Sequence, residues 1–340
     1  MLVVHRRAPA GAAVAAPAQN QEASRAERAP TGAAIAAPVR NQDECRAKRD
    51  GVADALPFGH FDPLSHRTLE SGLRNWVQAQ TGVQLGYVEQ LYTFGDRGRH
   101  SARPGEGPRV VSVGYLALTR TPLERAGVAW RDWYMFFPWE DWREGAPAMI
   151  ASQVVPSLRQ FADAAPTPEV RAIRNDRIRL CFGGGASGWD EEKVLERYEL
   201  LYEAGLVIEA QRDGGATPPD GPIGPLGLSM VFDHRRILAT AMGRLRGKIK
   251  YRPVVFELMS GEFTLLELQR TVEALSGIRL HKQNFRRLVE AQGLVERTGR
   301  MSRKTGGRPA EQFRFRREVL RERPAPGVRY GFGRAIRPQS

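Results

Sequence analysis

Cysteine is scarce in this sequence: it contains only Cys45 and Cys181, and neither has another Cys or His at metal-ligand spacing. This scarcity argues against a structural zinc site and fits a reducing cytoplasm. No apolar run approaches the ~20 residues that cross a bilayer. The opening MLVVHRRAPAGAAVAAPA differs from a secretory signal because its basic pair follows the first apolar residues and its alanine stretch ends in proline. We therefore expect a cytoplasmic protein.

Acidic residues are scarce in the C-terminal third. Residues 235–340 contain 25 Lys and Arg against 9 Asp and Glu, a formal charge of +16, whereas residues 1–234 contain the other 26 bases and 29 acids, a charge of −3. This distribution predicts a surface for nucleic-acid phosphates, the alternative being a solvated face that aids solubility. With 340 residues, of which 41% are apolar, the chain is large enough for two domains.

A duplicated segment occupies most of the first fifty residues. RAPAGAAVAAPAQNQEASRA (7–26) recurs as RAPTGAAIAAPVRNQDECRA (28–47), with 13 of 20 positions identical. Two copies are too few for a solenoid, and a composition rich in Ala, Pro and Gln predicts a mobile insertion. Leu2–Val4 before the insertion and ALPFG (55–59) after it have the composition of strands, so the duplication would lengthen a single loop.

The stretch from 85 to 142 is expected to be mainly β-structure. LGYVEQLYTFGD and PRVVSVGYLALT are rich in β-branched and aromatic residues, and the Gly-, Arg- and Pro-rich segment 95–108 separates them, which predicts a hairpin with a long loop. WYMFFPWEDW (133–142) is expected to add a strand and a turn. Beyond it, the spacing of apolar residues predicts helical structure over 190–210 with a break at Gly205, and the Gly- and Pro-rich composition predicts a linker at 212–227. A helix at 233–250 is expected to lead into the basic region.

Residues 253–317 have the pattern of a winged helix-turn-helix. Three helices are predicted from PVVFELM, FTLLELQRTVEALSG and LHKQNFRRLVEAQG, the second of which has an apolar stripe. Two β-like runs, LVERTG (294–299) and EQFRFR (311–316), flank the basic segment RMSRKTGGRPA (300–310) and form the wing. In such domains the third helix enters the major groove, and the wing contacts the backbone or the minor groove.

The third helix divides into two faces. Phe285, Leu288 and Val289 stand at i, i+3 and i+4 and are expected to pack inward, which leaves the polar side chains facing out. Gln and Asn pair with adenine, and Arg pairs with guanine or phosphate; the alternative for each single residue is a solvated position. The predicted DNA-binding residues are His281, Lys282, Gln283, Asn284, Arg286 and Arg287 on the helix and Arg303, Lys304 and Arg308 in the wing.

The order of these motifs resembles a family of bacterial regulators of NAD metabolism, of the NadQ type and more distantly of the NrtR type. FTLLELQRTVEALSG, NFRRLVEAQGLVERTG and GGRPAEQFRF are similar to the C-terminal winged helix of these proteins. LPFGHFDP, YVEQLYTFGDRGR and VVSVGYLAL are similar to their Nudix-like N-terminal halves, so the resemblance covers roughly residues 55–142 and 231–317. It implies an α+β fold, a Nudix-like mixed-sheet sandwich followed by the winged helix, and a repressor of NAD biosynthesis genes that responds to an NAD-related nucleotide.

The helix that carries the metal-binding glutamates in Nudix hydrolases corresponds to GLRNWVQAQTG (72–82). Counted back from Gly82, the three glutamate positions fall on Trp76, Ala79 and Gln80, or, one residue earlier, on Asn75, Gln78 and Ala79. Magnesium needs hard anionic oxygens, and neither frame supplies a carboxylate; Glu70 and Glu89 are single acids without partners. The resemblance therefore implies a domain that senses a nucleotide, with no metal, cofactor or catalytic residue.

Four residues are candidates for binding the effector. Tyr92, Phe94, Asp96 and Arg99 lie at a strand end and in the following loop, where rings can stack on a base and Arg can pair with phosphate. The alternative is that Tyr92 and Phe94 belong to the core and that Arg99 is solvated. The Gly-rich CFGGGASGWD (181–190) lacks the Gly-Lys-Ser/Thr of a phosphate loop and is expected to be a turn.

These patterns predict five regions. They are the start of the Nudix-like domain with its insertion (1–54, insertion 7–47), the Nudix-like effector domain (55–144), a helical insertion and linker (145–230), the winged helix-turn-helix (231–320) and a flexible basic tail (321–340). Such regulators bind two half-sites, so a homodimer is expected, with the helix at 233–250 as subunit contact or interdomain lever. The resemblance also implies a strand ahead of Leu2–Val4: either the sheet lacks it or the natural start lies upstream of Met1.

Two other functions stay open at this point. The first is a Nudix-type hydrolase of ADP-ribose or a similar diphosphate, which would turn over its substrate with magnesium. The second is a protein that binds nucleic acids without sequence preference, which would account for the charge alone.

Overall fold

The computed structural model describes residues 4–5, 54–95, 110–120, 129–183, 188–214, 223–224, 226–302, 309–322 and 327–328. The duplicated insertion 7–47 and most of the tail 321–340 lie outside these ranges. The same holds for five predicted site residues, Asp96, Arg99, Arg303, Lys304 and Arg308. Helices and strands occur in both halves of the described chain, so the predicted α+β class is confirmed. Within these ranges no helix is both long and apolar enough to cross a membrane.

Helix α1 (Leu69–Thr81) confirms the helix predicted from GLRNWVQAQTG. It begins with a capping box, in which the Thr68 hydroxyl accepts from the Ser71 N–H at 3.0 Å and the Ser71 hydroxyl accepts from the Thr68 N–H at 3.0 Å. It ends at Gly82, which adopts a left-handed conformation (φ 74°) that an L side chain disfavours. The apolar face of α1 packs in a small cluster formed by Leu73, Val77, Val83, Tyr115 and Ala117.

The described residues of the N-terminal half form two antiparallel strand pairs. Strand β1 (Val4–His5) pairs with β4 (Ala129–Trp130), and β2 (Val88–Phe94) pairs with β3 (Ser112–Ala117), which confirms the predicted hairpin. The strand predicted at 55–59 is wrong: Asp54 makes an isolated bridge to Met230, and Leu56 donates its N–H to Nδ1 of His234 at 2.9 Å. At Leu56 a side chain takes the place of a neighbouring strand, and among the described residues this segment forms isolated bridges but no continuous strand.

The strand predicted within WYMFFPWEDW is also wrong. Two 3₁₀ helices, Trp133–Met135 and Pro138–Glu140, occupy this segment. The Asp132 side chain accepts from the Tyr134 N–H at 3.0 Å and starts the first turn, while Pro138 starts the second. Phe136, Phe137 and Trp139 are all fully buried. A composition rich in aromatic residues predicts a strand. In this segment the backbone instead forms 3₁₀ turns, and these turns place each of the three rings in the core.

The middle of the chain is helical, as predicted over 190–210. A π-helix (Ile150–Val154) leads into α2 (Val155–Asp163), which is followed by α3 (Pro168–Phe182), α4 (Val194–Glu203) and α5 (Ile208–Asp213). Gly205, with φ 70°, separates α4 from α5 at the predicted break. Cys181 is buried near the end of α3, and burial raises the pKa of its thiol.

The segment expected to be a linker is structured at its end. Strands β5 (Ile223–Gly224) and β6 (Gly227–Leu228) form a small hairpin, and Leu226, Leu228 and Met230 are buried. The Gly- and Pro-rich composition led to the expectation of a linker, but these apolar side chains dock against the core because the hairpin approaches the 3₁₀ segment closely. A Cβ on Gly227 would lie 2.7 Å from the Met135 carbonyl oxygen.

Helix α6 (His234–Tyr251) confirms the helix predicted at 233–250 and is the central element of the fold. Leu238, Met242, Leu245 and Ile249 are buried, as are two of its arginines. The main hydrophobic cluster continues from the N-terminal half past α6 into the C-terminal region. This helix was expected to act as a subunit contact or as an interdomain lever, and its burial within one chain fits the second role.

The C-terminal region is a winged helix domain, as predicted. A 3₁₀ turn (Val254–Glu257) replaces the first predicted helix, since Pro253 precedes it and its three buried apolar residues are consecutive. Helix α7 (Leu265–Ser276) follows β7 (Phe263–Thr264), and helix α8 (Lys282–Ala291) is the third helix. Strands β8 (Val295–Ser302) and β9 (Ala310–Phe315) form the wing, in a sheet of order β7-β9-β8. A short helix α9 (Val319–Glu322) ends the described domain.

Candidate nucleic-acid interface

Helix α8 presents the two faces expected from its sequence. Phe285 and Val289 are buried and Leu288 is half-buried, so the predicted inward face is confirmed. All six helix residues predicted to contact DNA are exposed: His281, Lys282, Gln283, Asn284, Arg286 and Arg287. Whether each one contacts DNA stays a prediction.

The turn ahead of α8 is held by side chains of α7. The Glu273 carboxylate accepts from the Leu280 N–H at 2.8 Å and from the Gln269 side-chain amide at 2.9 Å. The same amide donates to the Leu280 carbonyl at 2.9 Å. These hydrogen bonds fix the position at which α8 begins, so α7 holds the exposed face of α8 in a defined orientation.

The positively charged side chains of α8 differ in whether a nearby carboxylate pairs with them. Nε of Arg286 lies 3.3 Å from Oε1 of Glu290, one turn along the helix. Lys282 and Arg287 have no carboxylate partner among the residues that the structure describes. They are therefore the two helix cations whose charge is fully available to a phosphate or to guanine.

The strands of the wing contain arginines that are already paired. Arg297 contacts Glu311 at 3.1 Å, and Arg314 contacts Glu296 at 2.5 Å, both across the β8–β9 pair. Arg300 contacts Glu262 at 3.1 Å. The arginines of the wing strands are thus paired with acids, so a DNA contact from the wing is expected at its tip. The residues predicted for this contact lie outside the described chain.

The metal-binding positions of α1 hold no carboxylate in either frame. In the first frame, Trp76 is half-buried, and a Cβ on Gly59 would lie 3.0 Å from its ring. In the alternative frame, Asn75, Gln78 and Ala79 are exposed. An indole, a methyl group and amides do not replace the water shell of magnesium, so these residues do not fit the metal of a Nudix hydrolase.

Neither acid considered as a substitute is free. Glu70 pairs with Arg74 at 2.9 Å. Glu89 lies 2.5 Å from the Lys248 ammonium and accepts from the Tyr87 hydroxyl at 2.9 Å. In the described ranges, no group of three or more His, Cys, Asp and Glu side chains is placed to hold a metal ion.

The two described effector candidates lie in different environments. Tyr92 is 65% exposed, whereas Phe94 is 4% exposed and belongs to the main core, where a Cβ on Gly114 would lie 2.9 Å from its ring. Their ring centroids are 5.5 Å apart. The hairpin therefore brings the two rings together, but only Tyr92 is accessible to a ligand.

Sequence reasoning missed the contacts that join the two halves. The Tyr134 hydroxyl donates to the Ala274 carbonyl at 2.9 Å, and the backbone N–H of Trp142 donates to the Gly277 carbonyl at 2.7 Å. Between them, Glu140 is buried with Arg197 and Arg246. A signal was present: two adjacent acids inside the aromatic-rich run FFPWEDW, and arginines inside apolar helices.

Fold and geometry thus define a protein with a C-terminal winged helix domain joined to a larger α+β half. Residues 255–315 match the sequence profile of the NrtR DNA-binding winged helix domain. Over 90 residues the chain is 41% identical to the ADPR responsive transcriptional repressor NtrR of Acinetobacter baylyi. This alignment covers 26% of the chain and 36% of the relative, so the chain spans about a third of the length of that protein.

Two solved structures align over most of the chain. NrtR of Shewanella oneidensis in complex with a 27mer DNA is 22% identical, with a TM-score of 0.41, over 79% of this chain and 82% of that one. A MutT/nudix family protein from Enterococcus faecalis is 16% identical, with a TM-score of 0.43, over 87% of this chain and 90% of that one. Neither alignment bears on function at this level of similarity.

Proposed function

We propose that this protein is a transcriptional repressor of NAD biosynthesis genes that binds its operator as a homodimer and responds to an NAD-related nucleotide. One observation carries the proposal: a segment that matches an NrtR DNA-binding winged helix domain presents an exposed polar and basic helix face. The name of the relative from Acinetobacter baylyi describes it as an ADPR responsive repressor, which supports a nucleotide effector.

The reading surface in this proposal is the outer face of α8. Gln283 and Asn284 supply paired donors and acceptors for adenine, and Arg287 supplies a fork for guanine or phosphate. The +16 charge of residues 235–340 attracts the DNA backbone without regard to sequence. Discrimination between sequences therefore rests on the helix, while the wing and the surrounding cations add affinity.

The homodimer follows from how such helices are used. One reading helix contacts only a few base pairs, and a two-fold dimer places two helices on two half-sites. Because α6 is buried along most of its length, we assign it to the connection between halves and leave the subunit contact to another surface.

We further propose that the Nudix-like half binds its nucleotide without hydrolysing it. The metal-binding positions of α1 hold no carboxylate in either frame, and Glu70 and Glu89 are engaged with Arg74 and Lys248. The corresponding test is a phosphate- or AMP-release assay with ADP-ribose and magnesium at high protein concentration. Turnover that follows protein concentration would contradict this part of the proposal.

The test of the whole function is selection of an operator from random duplex DNA, followed by binding measurements on Asn284→Ala and Arg287→Ala. Each change should weaken binding to the selected operator by about 1–3 kcal/mol. Asn284→Ala should leave binding to scrambled DNA nearly unchanged, and Arg287→Ala should weaken it less than it weakens operator binding, because this change also removes a positive charge. Arg159→Ala is the matched control, because Arg159 is an exposed helix arginine outside the winged helix domain. Equal affinity of the wild-type protein for operator and scrambled DNA would favour non-specific nucleic-acid binding instead.

A further inference from the structure

A cleft of about 550 Å³ opens between the two halves of the molecule. Its N-terminal wall includes Arg120 after β3, Trp130 in β4, and the adjoining Arg131 and Asp132, with Arg143 nearby. Its C-terminal wall is formed by α7, which contributes Arg270. The volume lies within the range of ~300–1,000 Å³ that is usual for small-molecule sites.

The four arginines give the cleft an excess of positive charge. Arg131 lies 3.5 Å from Asp54, and Arg143 makes a bidentate pair with Asp141, with both contacts at 2.7 Å. Among the described residues, the Arg120 side chain donates only to backbone carbonyls, to that of Glu257 at 2.8 Å and that of Phe256 at 3.4 Å. The Arg270 side chain is exposed, and its guanidinium group makes neither an ion pair nor a hydrogen bond with any described residue. Two guanidinium groups, one on each wall, thus have no anionic partner within the described part of the chain.

The remaining lining groups indicate what kind of anion fits. Trp130 is partly exposed and offers an aromatic surface on which a base can stack. The Asp132 side chain is 49% exposed, so its carboxylate can accept a hydrogen bond from a ribose hydroxyl. Paired cations suit a diphosphate, because guanidinium groups bind phosphate oxygens with two parallel hydrogen bonds.

We propose that this cleft is the effector site and that it binds a nucleoside diphosphate compound, with the diphosphate held between Arg120 and Arg270. This inference rests on the proposed function, because it gives a location to the effector of the repressor. A ligand bound there contacts both walls and restricts the position of α7 relative to the N-terminal half. Side chains of α7 fix the start of α8. A ligand that restricts α7 therefore also restricts the position of α8, the helix that reads DNA.

The experiment is isothermal titration of the full-length protein with ADP-ribose, ADP and inorganic pyrophosphate. Arg270→Ala should weaken ADP-ribose binding by about tenfold or more, the size expected for a lost charge-assisted hydrogen bond. Arg270→Lys should retain part of the affinity, and Arg159→Ala, which removes an exposed helix arginine outside the cleft, should bind as the wild type does. Pyrophosphate should bind more weakly than ADP, since it has no base or ribose.

Three results would overturn the inference. One is ADP-ribose and ADP failing to bind the wild-type protein, and another is Arg270→Ala binding like Arg159→Ala. The third is loss of operator affinity in Arg270→Ala without any nucleotide, which would make Arg270 a DNA contact. Tyr92→Ala tests the competing site on β2, and loss of ADP-ribose binding in that variant alone would place the effector there.

Failure of the proposed function has a different signature. If the wild-type protein shows no sequence-selective DNA binding but loses ADP-ribose affinity in Arg270→Ala, the cleft is a nucleotide site and the repressor function is wrong. If operator binding responds to ADP-ribose equally in the wild type and in Arg270→Ala, the repressor stands and the location of the effector is wrong.

Discussion

The carboxylate of Glu140 lies 2.6 Å from Nη1 of Arg246, and neither side chain is exposed to solvent. Its other oxygen lies 2.5 Å from Nε of Arg197, which is equally buried. Arg246 also donates to the Leu275 carbonyl in α7 at 3.2 Å. Burial by itself would lower the pKa of Arg246, but the Glu140 charge raises it, so the guanidinium stays protonated. One carboxylate therefore connects the N-terminal half, α4, α6 and the winged helix domain.

Glu140→Gln should destabilise the protein strongly. The amide is neutral, so two buried guanidinium groups lose their counter-ion, and breaking a buried ion pair in this way costs about 3–5 kcal/mol. Urea unfolding measures the change. Asp163→Asn is the control: Asp163 pairs with Arg171 at 2.5 Å, but 60% of its side chain is exposed, and such a pair contributes about 1 kcal/mol or less. Similar losses in both variants would contradict the structural role given to Glu140.

Gly277→Ala should disrupt the junction between the two halves. Gly277 has φ 77°, and a Cβ there would lie 2.4 Å from the Glu140 carbonyl oxygen and 2.7 Å from Nη2 of Arg246. Gly299→Ala is a matched control, since Gly299 has φ 74° and open space around its Cβ position. The control should lose only ~1–2 kcal/mol of unfolding free energy, the cost of a left-handed non-glycine residue. Gly277→Ala should lose clearly more, and thermal unfolding measures both changes. Equal losses would show that the junction tolerates the methyl group.

Acid should weaken the Asp141–Arg143 pair. Burial alone would raise the pKa of Asp141, but its hydrogen bonds with Arg143 outweigh burial and hold the pKa below the ordinary 3.8. A carboxyl group whose pKa is lower in the folded state stabilises the fold above its unfolded pKa and loses that contribution as pH falls through the folded value. The stability difference between the wild type and Asp141→Asn should thus be constant near neutral pH and shrink below about pH 4. A difference that persists at the lowest pH where both proteins fold would contradict the expected effect.

The wing should act on all DNA sequences alike. Arg303 lies at the predicted tip of the wing, so Arg303→Ala should weaken operator and scrambled DNA equally and reduce the slope of log affinity against log salt by about 1. Fluorescence anisotropy at several salt concentrations measures both effects. A selective loss for the operator, such as Asn284→Ala is expected to show, would make Arg303 a reader of bases.

Local patterns predicted the regular elements well. Helices α7 and α8 follow from apolar spacing and from the break at Gly277, whereas α1 follows from its resemblance to the Nudix helix that ends at Gly82. Both glycines adopt left-handed conformations. The two predicted strands that proved wrong, 55–59 and 133–142, are apolar segments whose hydrogen bonds are made outside any ladder. Composition indicates that such residues are buried, but it does not indicate what their backbone groups bind.

The sequence by itself determined the outward face of α8 and the lack of carboxylates at the metal-binding positions of α1, because both depend on which residues follow one another along a single helix. Only the tertiary structure decided that Glu140 meets Arg197 and Arg246, and that Arg120 and Arg270 line one cleft. Ion pairs and clefts depend on how closely distant segments approach through space, and the period of a helix or strand contains no information about that distance.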